Sequence, residues 1–220
     1  MTCCGAFSAA VDAQFTPKKA LTELERYRKD GPGVTTRLLR DGLIDAGLAA
    51  GTILDVGAGI GALTFELLAR GATSAVAVDA SAAYLAAARE EAERRGRSAL
   101  IRFVQGDFVE RSTQVPAADT VTLDRVICCY PDYQPLLDRA LSLAVHGFAF
   151  SYPRDRWWVR AGGRFENTLR QLRSNPFRTV VHPVAAMQRI ISDTGFVLVN
   201  HSQTTTWSAD VYRRRSTAGV

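Results

Sequence analysis

The residues Thr52-Ile53-Leu54-Asp55-Val56-Gly57-Ala58-Gly59-Ile60-Gly61-Ala62-Leu63-Thr64 constrain this chain more than any other stretch. An apolar run ends in an acid, three glycines alternate, and an apolar-periodic segment follows. The pattern predicts a buried strand, a tight turn and the N-terminus of a helix. Glycine admits positive φ and lets a ligand approach the main chain, while the helix end presents unpaired N–H groups. Such a turn is a candidate nucleotide cradle.

The same alternation continues downstream. Ser74–Asp79, Leu100–Gln105, Asp119–Leu123 and Gly147–Tyr152 read as strands, with helical patterns over Ser81–Arg94 and Pro135–Ala144 between them. Strands separated by helices need crossover connections, hence a mostly parallel, doubly wound sheet. After residue 183 the order changes. Val184–Thr194 reads as a helix, but Phe196–Asn200 and Thr204–Arg213 follow with no helix between them. They must form a hairpin, which makes the last of seven strands antiparallel. Upstream, Thr16-Pro17 marks a helix start, with Leu21, Leu24 and Tyr27 on one apolar face before Asp30-Gly31-Pro32-Gly33. A second helix over Val34–Gly47 turns Leu38, Leu39, Leu43 and Ile44 inward. The expected organisation is one α/β domain over 1–220. Residues 1–48 form a helical cover, 50–152 the core, 153–183 a second cover and 184–220 the last helix and hairpin. Residues 1–15 carry few structural signals.

At 220 residues and 47% hydrophobic, the chain can bury one core of this kind. It lacks an apolar run long enough to span a bilayer, and Met1-Thr2-Cys3-Cys4-Gly5 has no export pattern, so a cytoplasmic protein is expected. The four cysteines fall as the adjacent pairs Cys3-Cys4 and Cys128-Cys129, without zinc-ligand spacing, and no metal is expected. The net charge of +5 is concentrated. Between Pro153 and Arg178 stand seven arginines against Asp155 and Glu166, so the rest of the chain sums to zero. This stretch is either a solvated cover helix or a site for an anionic substrate, since guanidinium groups match carboxylate and phosphate.

Gly57-x-Gly59-x-x-Ala62, with Asp79 about 20 residues on, also satisfies a loose dinucleotide fingerprint. Three features argue against that assignment. Gly61 alters the glycine spacing, and the terminal hairpin does not suit an all-parallel sheet. Asp55 directly before the turn would repel a pyrophosphate where a helix N-terminus should attract it. An acid there suits a ligand carrying an ammonium group.

Taken together, Leu54-Asp55-Val56-Gly57-Ala58-Gly59-Ile60-Gly61, the strand-ending Asp79, Gly106-Asp107-Phe108 and Asp119-x-Val121-x-Leu123-Asp124 make the chain resemble the class I S-adenosylmethionine-dependent methyltransferases. The resemblance covers residues 50–150 and, by topology, the terminal hairpin. It implies S-adenosylmethionine as cofactor and S-adenosylhomocysteine as product. It also implies that Gly57, Ala58, Gly59 and Gly61 form the seat of the cofactor's amino-acid part, with Asp55 ordering the turn. Asp79 would accept both ribose hydroxyls. Ala80 and Phe108 would pack beside the adenine, and Asp107 would accept from its amino group. Backbone near Leu123 and Asp124 would hold the methionine amine. Tyr27 and Arg37 would reach the cofactor from the N-terminal helices.

Methyl transfer is an in-line displacement that the enzyme promotes by alignment, with proton removal only where the acceptor needs it. The acceptor is expected beyond the strand carboxyl ends, against Arg125–Tyr133 and Ser151–Trp158. Tyr130, Tyr152, Arg154 and Trp157 are the candidate acceptor contacts, and His182 and Tyr130 the candidate catalytic residues. An imidazole can take a proton near neutral pH. The segment after the fourth strand lacks the Asn/Asp-Pro-Pro-aromatic and Pro-Cys signatures of base methylation, which argues against a DNA base, and with no separate RNA-binding module visible a nucleic-acid partner is not expected. Cys128-Cys129-Tyr130-Pro131-Asp132 and His182-Pro183 look loosely like bacterial methyltransferases near the magnesium-protoporphyrin carboxyl methylases. The expected activity is therefore methylation of a small anionic or aromatic molecule, favouring oxygen. An NAD(P)-dependent oxidoreductase and a non-catalytic cofactor-binding protein are the alternatives. The sequence sets no oligomeric state.

Overall fold

The computed structural model describes residues 10, 11 and 13–216; Cys3 and Cys4 lie outside them. Helices α1 (Pro17–Asp30) and α2 (Val34–Asp45) precede β1 (Gly51–Val56), α3 (Ala62–Leu68), β2 (Ala72–Asp79), α4 (Ala82–Arg94) and β3 (Ile101–Gln105). Then come α5 (Phe108–Arg111), β4 (Ala118–Leu123), α6 (Gln134–Leu143), β5 (Ala144–Pro153), α7 (Trp157–Leu172), α8 (Val184–Asp193), β6 (Phe196–Gln203) and β7 (Trp207–Arg214). The strands form one seven-stranded sheet in the order β3-β2-β1-β4-β5-β7-β6. β7 pairs antiparallel with both β5 and β6, and the other pairings are parallel. The doubly wound sheet with a reversed last strand is the architecture the sequence predicts.

Helix starts follow local chemistry. The Thr16 hydroxyl accepts the Lys19 N–H at 3.4 Å, and Pro17 supplies a first residue that needs no donor. Gly31, at φ 78°, ends α1. Ser81 caps α4 through the Tyr84 N–H.

Both sheet faces are covered, so the strands are apolar on either side. Leu24, Leu39, Leu43, Phe65 and Leu67 pack on one face with Ile53 and Ala77. Leu136, Leu137, Leu141, Met187 and Ile191 pack on the other with Leu54, Val121, Phe148 and Phe150. Each such side chain contributes ~1.5–3 kcal/mol on burial. Two inward assignments fail. Leu21 is 51% exposed and Ile44 39% exposed, because α1 and α2 bury narrower stripes than their apolar residues span. The described residues among the first 15 are also more structured than their sequence signals. Val11 is buried, and the Phe15 ring packs edge-on against Tyr84 and Phe177.

Candidate active site

The glycine turn is stitched to the end of β2. The N–H groups of Gly57 and Ala58 both donate to Val78 O, at 2.7 and 3.0 Å, and Gly59 N–H donates to Asp79 Oδ2 at 2.8 Å. Gly57, Gly59 and Gly61 have φ of 65°, 58° and 80°, the left-handed region that a side chain resists. At Gly57 the lack of a side chain is also spatial: a Cβ there would stand 2.3 Å from Val126 Cγ2.

Two buried acids brace the turn. Asp55 accepts the Thr64 hydroxyl at 2.7 Å and the Thr122 hydroxyl at 2.9 Å, tying β1 to α3 and β4. Asp79 accepts Ser81 N–H on Oδ1 and Gly59 N–H on Oδ2, both at 2.8 Å. Burial pushes each carboxyl up to about 6, against the opposing pull of these hydrogen bonds.

These groups open onto a cavity of ≈ 390 Å³. Its floor carries Asp55, Gly57, Ala58, Gly59, Asp79, Ala80, Phe108 and Asp124. Arg125, Cys128, Cys129 and Tyr130 form one wall, and Phe15, Glu23, Thr36, Tyr84, Glu166, Arg170 and Phe177 the cover. Asp107 sits just beyond it, in an adjoining depression, accepting the Tyr130 hydroxyl at 2.7 Å. Burial and the neighbouring Asp107 push the Tyr130 phenol well above its ordinary value, so it is a neutral donor. Asp124 accepts the hydroxyls of Thr36 at 2.6 Å and Ser151 at 2.7 Å, which fixes it between α2 and β5.

Several anticipated contacts lie elsewhere. Tyr27 is buried and its hydroxyl donates to Glu66, and Arg37 donates to Pro32 O; neither lines the cavity. Leu123, anticipated through its backbone, and Gly61, the left-handed start of α3, are not among the cavity's lining residues, whereas Asp124 is. Tyr152 is buried, with its hydroxyl donating to Asp210 at 3.0 Å. Arg154 donates to Thr204 O at 2.9 Å and holds the β6–β7 hairpin. Trp157 is 77% exposed. His182 is buried behind the 127–130 segment, its Nε2 at 3.1 Å from Ile127 O and 2.9 Å from Tyr130 O. Two carbonyl partners require that nitrogen to carry the proton, and burial pulls the imidazole below its usual value. His182 is thus a neutral clamp on the wall.

The sequence reading passed over the groups that support the acids and the cover. Thr64 and Thr122 are hydroxyls at buried helix and strand positions, which was their available signal. The Glu166–Arg170 pair, at 3.2 Å, has helical i,i+4 spacing. Glu23 had no such signal; it accepts from Tyr84 at 2.9 Å and from Arg125 at 3.0 Å across the cavity mouth.

Residues 53–147 match a family model described as a methyltransferase domain. The match runs from β1 to the start of β5 and takes in less than half of the chain. A comparison of the sequence with curated proteins gives no match. Among solved structures, magnesium protoporphyrin IX methyltransferase from Synechocystis with bound SAH shares the fold with a TM-score of 0.69 at 19% identity, covering 88% of this chain and 95% of that one. The same protein with bound SAM gives a TM-score of 0.63 at 18% identity, over 90% and 84%. An O-methyltransferase family protein from Burkholderia thailandensis gives 0.68 at 16% identity, over 92% of this chain and 64% of that one. The cavity opens where β1, β2 and β4 end, at the carboxyl edge where open α/β sheets take ligands.

Proposed function

We propose that the protein binds S-adenosylmethionine in this cavity and methylates a small acceptor carrying a carboxylate or another ionised oxygen. The observation that carries the cofactor assignment is the placement of Asp79. Each of its oxygens accepts one backbone N–H and keeps lone pairs for the two hydroxyls of a ribose. Gly57, Ala58 and Gly59 would lie under the amino-acid part, Asp124 near its amine, and Ala80 and Phe108 beside the adenine. When bound, the cofactor supplies an electrophilic methyl on a sulfonium.

The acceptor assignment rests on what surrounds the remaining space. Among the described residues no histidine lines the cavity, and Tyr130 holds its proton. A carboxylate is already ionised at neutral pH and needs no base to attack a methyl group. Arg170 and Arg125 are the cations at hand. Arg170 is held by Glu166, Asn167 and the Thr179 hydroxyl, an orientation suited to steadying an anion. These two replace Arg154 as the candidate anion clamp.

The test is incubation of the protein with methyl-labelled S-adenosylmethionine and a metabolite extract. Label is expected in an ester that mild alkali hydrolyses. Calorimetry showing tighter binding of NADPH than of S-adenosylhomocysteine would overturn the cofactor assignment.

A further inference from the structure

Helix α7 touches the rest of the protein along one narrow stripe. Asn167 donates to Thr179 O at 2.8 Å, and Arg170 lies over the Phe177 ring at 5.4 Å. No residue of α7 is buried. With 3.6 residues per turn, Trp157, Trp158, Phe165 and Leu172 share the opposite side. Their exposures are 77, 41, 66 and 77%. Arg160 and Arg164 run along one border of this face, and both are exposed. Arg156 and Arg173 stand at its ends.

The helix interior makes the exposed face harder to account for as plain surface. Gly162 and Gly163 each cost about 1 kcal/mol relative to alanine. A Cβ at either would meet nothing within 4 Å, so packing does not require them. A helix with two central glycines and no buried residue gains little stability from the fold. Burying its outer face would supply what is missing.

We propose that the outer face of α7 docks on the headgroup layer of an anionic membrane. The match is one of charge and side-chain type. Of the seven arginines between Pro153 and Arg178, Arg156, Arg160, Arg164 and Arg173 lie along or at the ends of this outer face, against Asp155, which pairs with Arg160, so the face carries a net positive charge. Indoles favour the headgroup level, Phe and Leu side chains reach the acyl boundary, and guanidinium groups pair with lipid phosphates. A second copy fits worse, because antiparallel two-fold pairing of this helix would bring like arginine borders together. RNA also fits worse: Trp157 and Trp158 stand at 88° to each other, and Leu172 has no π-face to stack on. No helix of the described residues is long and apolar enough to cross a membrane, so the attachment is peripheral. The inference stands independently of the methyl-transfer reading.

Flotation of the whole protein with phosphatidylcholine–phosphatidylglycerol vesicles tests it, with phosphatidylcholine vesicles as the comparison. Binding is expected only to the anionic vesicles, to fall with added salt, and to blue-shift the tryptophan emission. Trp157→Ser combined with Phe165→Ser, and separately Arg160→Glu combined with Arg164→Glu, should each lower partitioning roughly tenfold or more. Because all four side chains are exposed, the melting temperature should stay close to wild type. No binding to anionic vesicles, equal binding to neutral ones, or indifference to both double substitutions overturns the proposal. So does a dimer in sedimentation, or retention on RNA, that the same substitutions abolish while vesicle binding persists.

Discussion

The Asp79 carboxylate receives the Gly59 N–H at 2.8 Å, so the acid ending β2 holds the turn that follows β1. One side chain thereby shapes the turn and faces the cavity. Asp79→Asn keeps the size but turns an acceptor into an amide donor. S-adenosylhomocysteine affinity should fall about 100-fold, two charge-assisted hydrogen bonds being at stake. Isothermal titration calorimetry would read this, and unchanged affinity would remove Asp79 from the site.

The same group sets a pH dependence. Its carboxyl lies at about 6 in the folded protein, above the ordinary 3.8, so at neutral pH it is ionised and accepting. As pH falls through 6 it gains a proton, and affinity for S-adenosylhomocysteine should drop by up to about tenfold per unit. Stability runs the other way. A raised acid pKa means the folded state loses stability between about pH 4 and 6 as pH rises. Calorimetric titrations at pH 5 and pH 7 check the binding side, and pH-independent affinity counts against the assignment.

Gly57 and Gly59 differ in a way that substitution can expose. Both have positive φ, but a Cβ at Gly57 meets Val126 at 2.3 Å, whereas at Gly59 it meets Tyr84 at 3.6 Å. Gly57→Ala should therefore destabilise the fold by about 2–4 kcal/mol and Gly59→Ala by about 1 kcal/mol. Urea titration of the two variants decides this; equal losses would show that backbone strain alone matters.

Arg170 and Arg154 form the second contrast. Arg170→Ala should raise the acceptor's KM by about 10-fold or more and leave the cofactor's almost unchanged, because a charge-assisted contact is lost. Arg154→Ala should lower the melting temperature by releasing Thr204 and Thr205, with KM close to wild type. Steady-state kinetics on the labelled acceptor separates the two, and the reverse pattern would restore Arg154 as the clamp.

His182→Ala removes the imidazole N–H that the carbonyls of Ile127 and Tyr130 accept, a loss of about 1–3 kcal/mol, although Ile127 O keeps the Tyr130 N–H. The wild-type imidazole, held neutral by burial, costs stability as pH falls below its ordinary 6.5. In denaturant titrations that acid-side decline should shrink in the variant. A kcat profile that loses an imidazole limb would instead make His182 a base.

The sheet order and the turn were legible because they rest on local rules. Alternating strand and helix periods dictate parallel crossovers, two adjacent strands dictate the hairpin, and alternating glycines mark the turn. The positions of Asp79, at the end of β2, and of Asp107 and Phe108, just after β3, follow from the strand pattern, as does that of Asp55 one residue before the end of β1. The acceptor side was not, for a physical reason. Whether Arg154 or Arg170 faces the cavity depends on the rotation of α7 and on where the hairpin carbonyls fall. His182 and Tyr152 looked available because the sequence does not say that Ile127 O, Tyr130 O and Asp210 would engage them. Trp157 looked like a wall residue because an indole is ordinarily buried, and only tertiary contacts reveal that α7 turns it outward.

The reversed strand also bears on how the protein is made. β7 lies between β5 and β6, so residues 207–214 must slide between two strands already synthesised. Until they leave the ribosome, β5 keeps one bare edge, and Phe148 and Phe150 lack Tyr212, the ring that completes their cluster. The sheet therefore closes only once residues 207–214 have been made, and an arrest before Trp207 would release a chain with an unprotected, aggregation-prone edge.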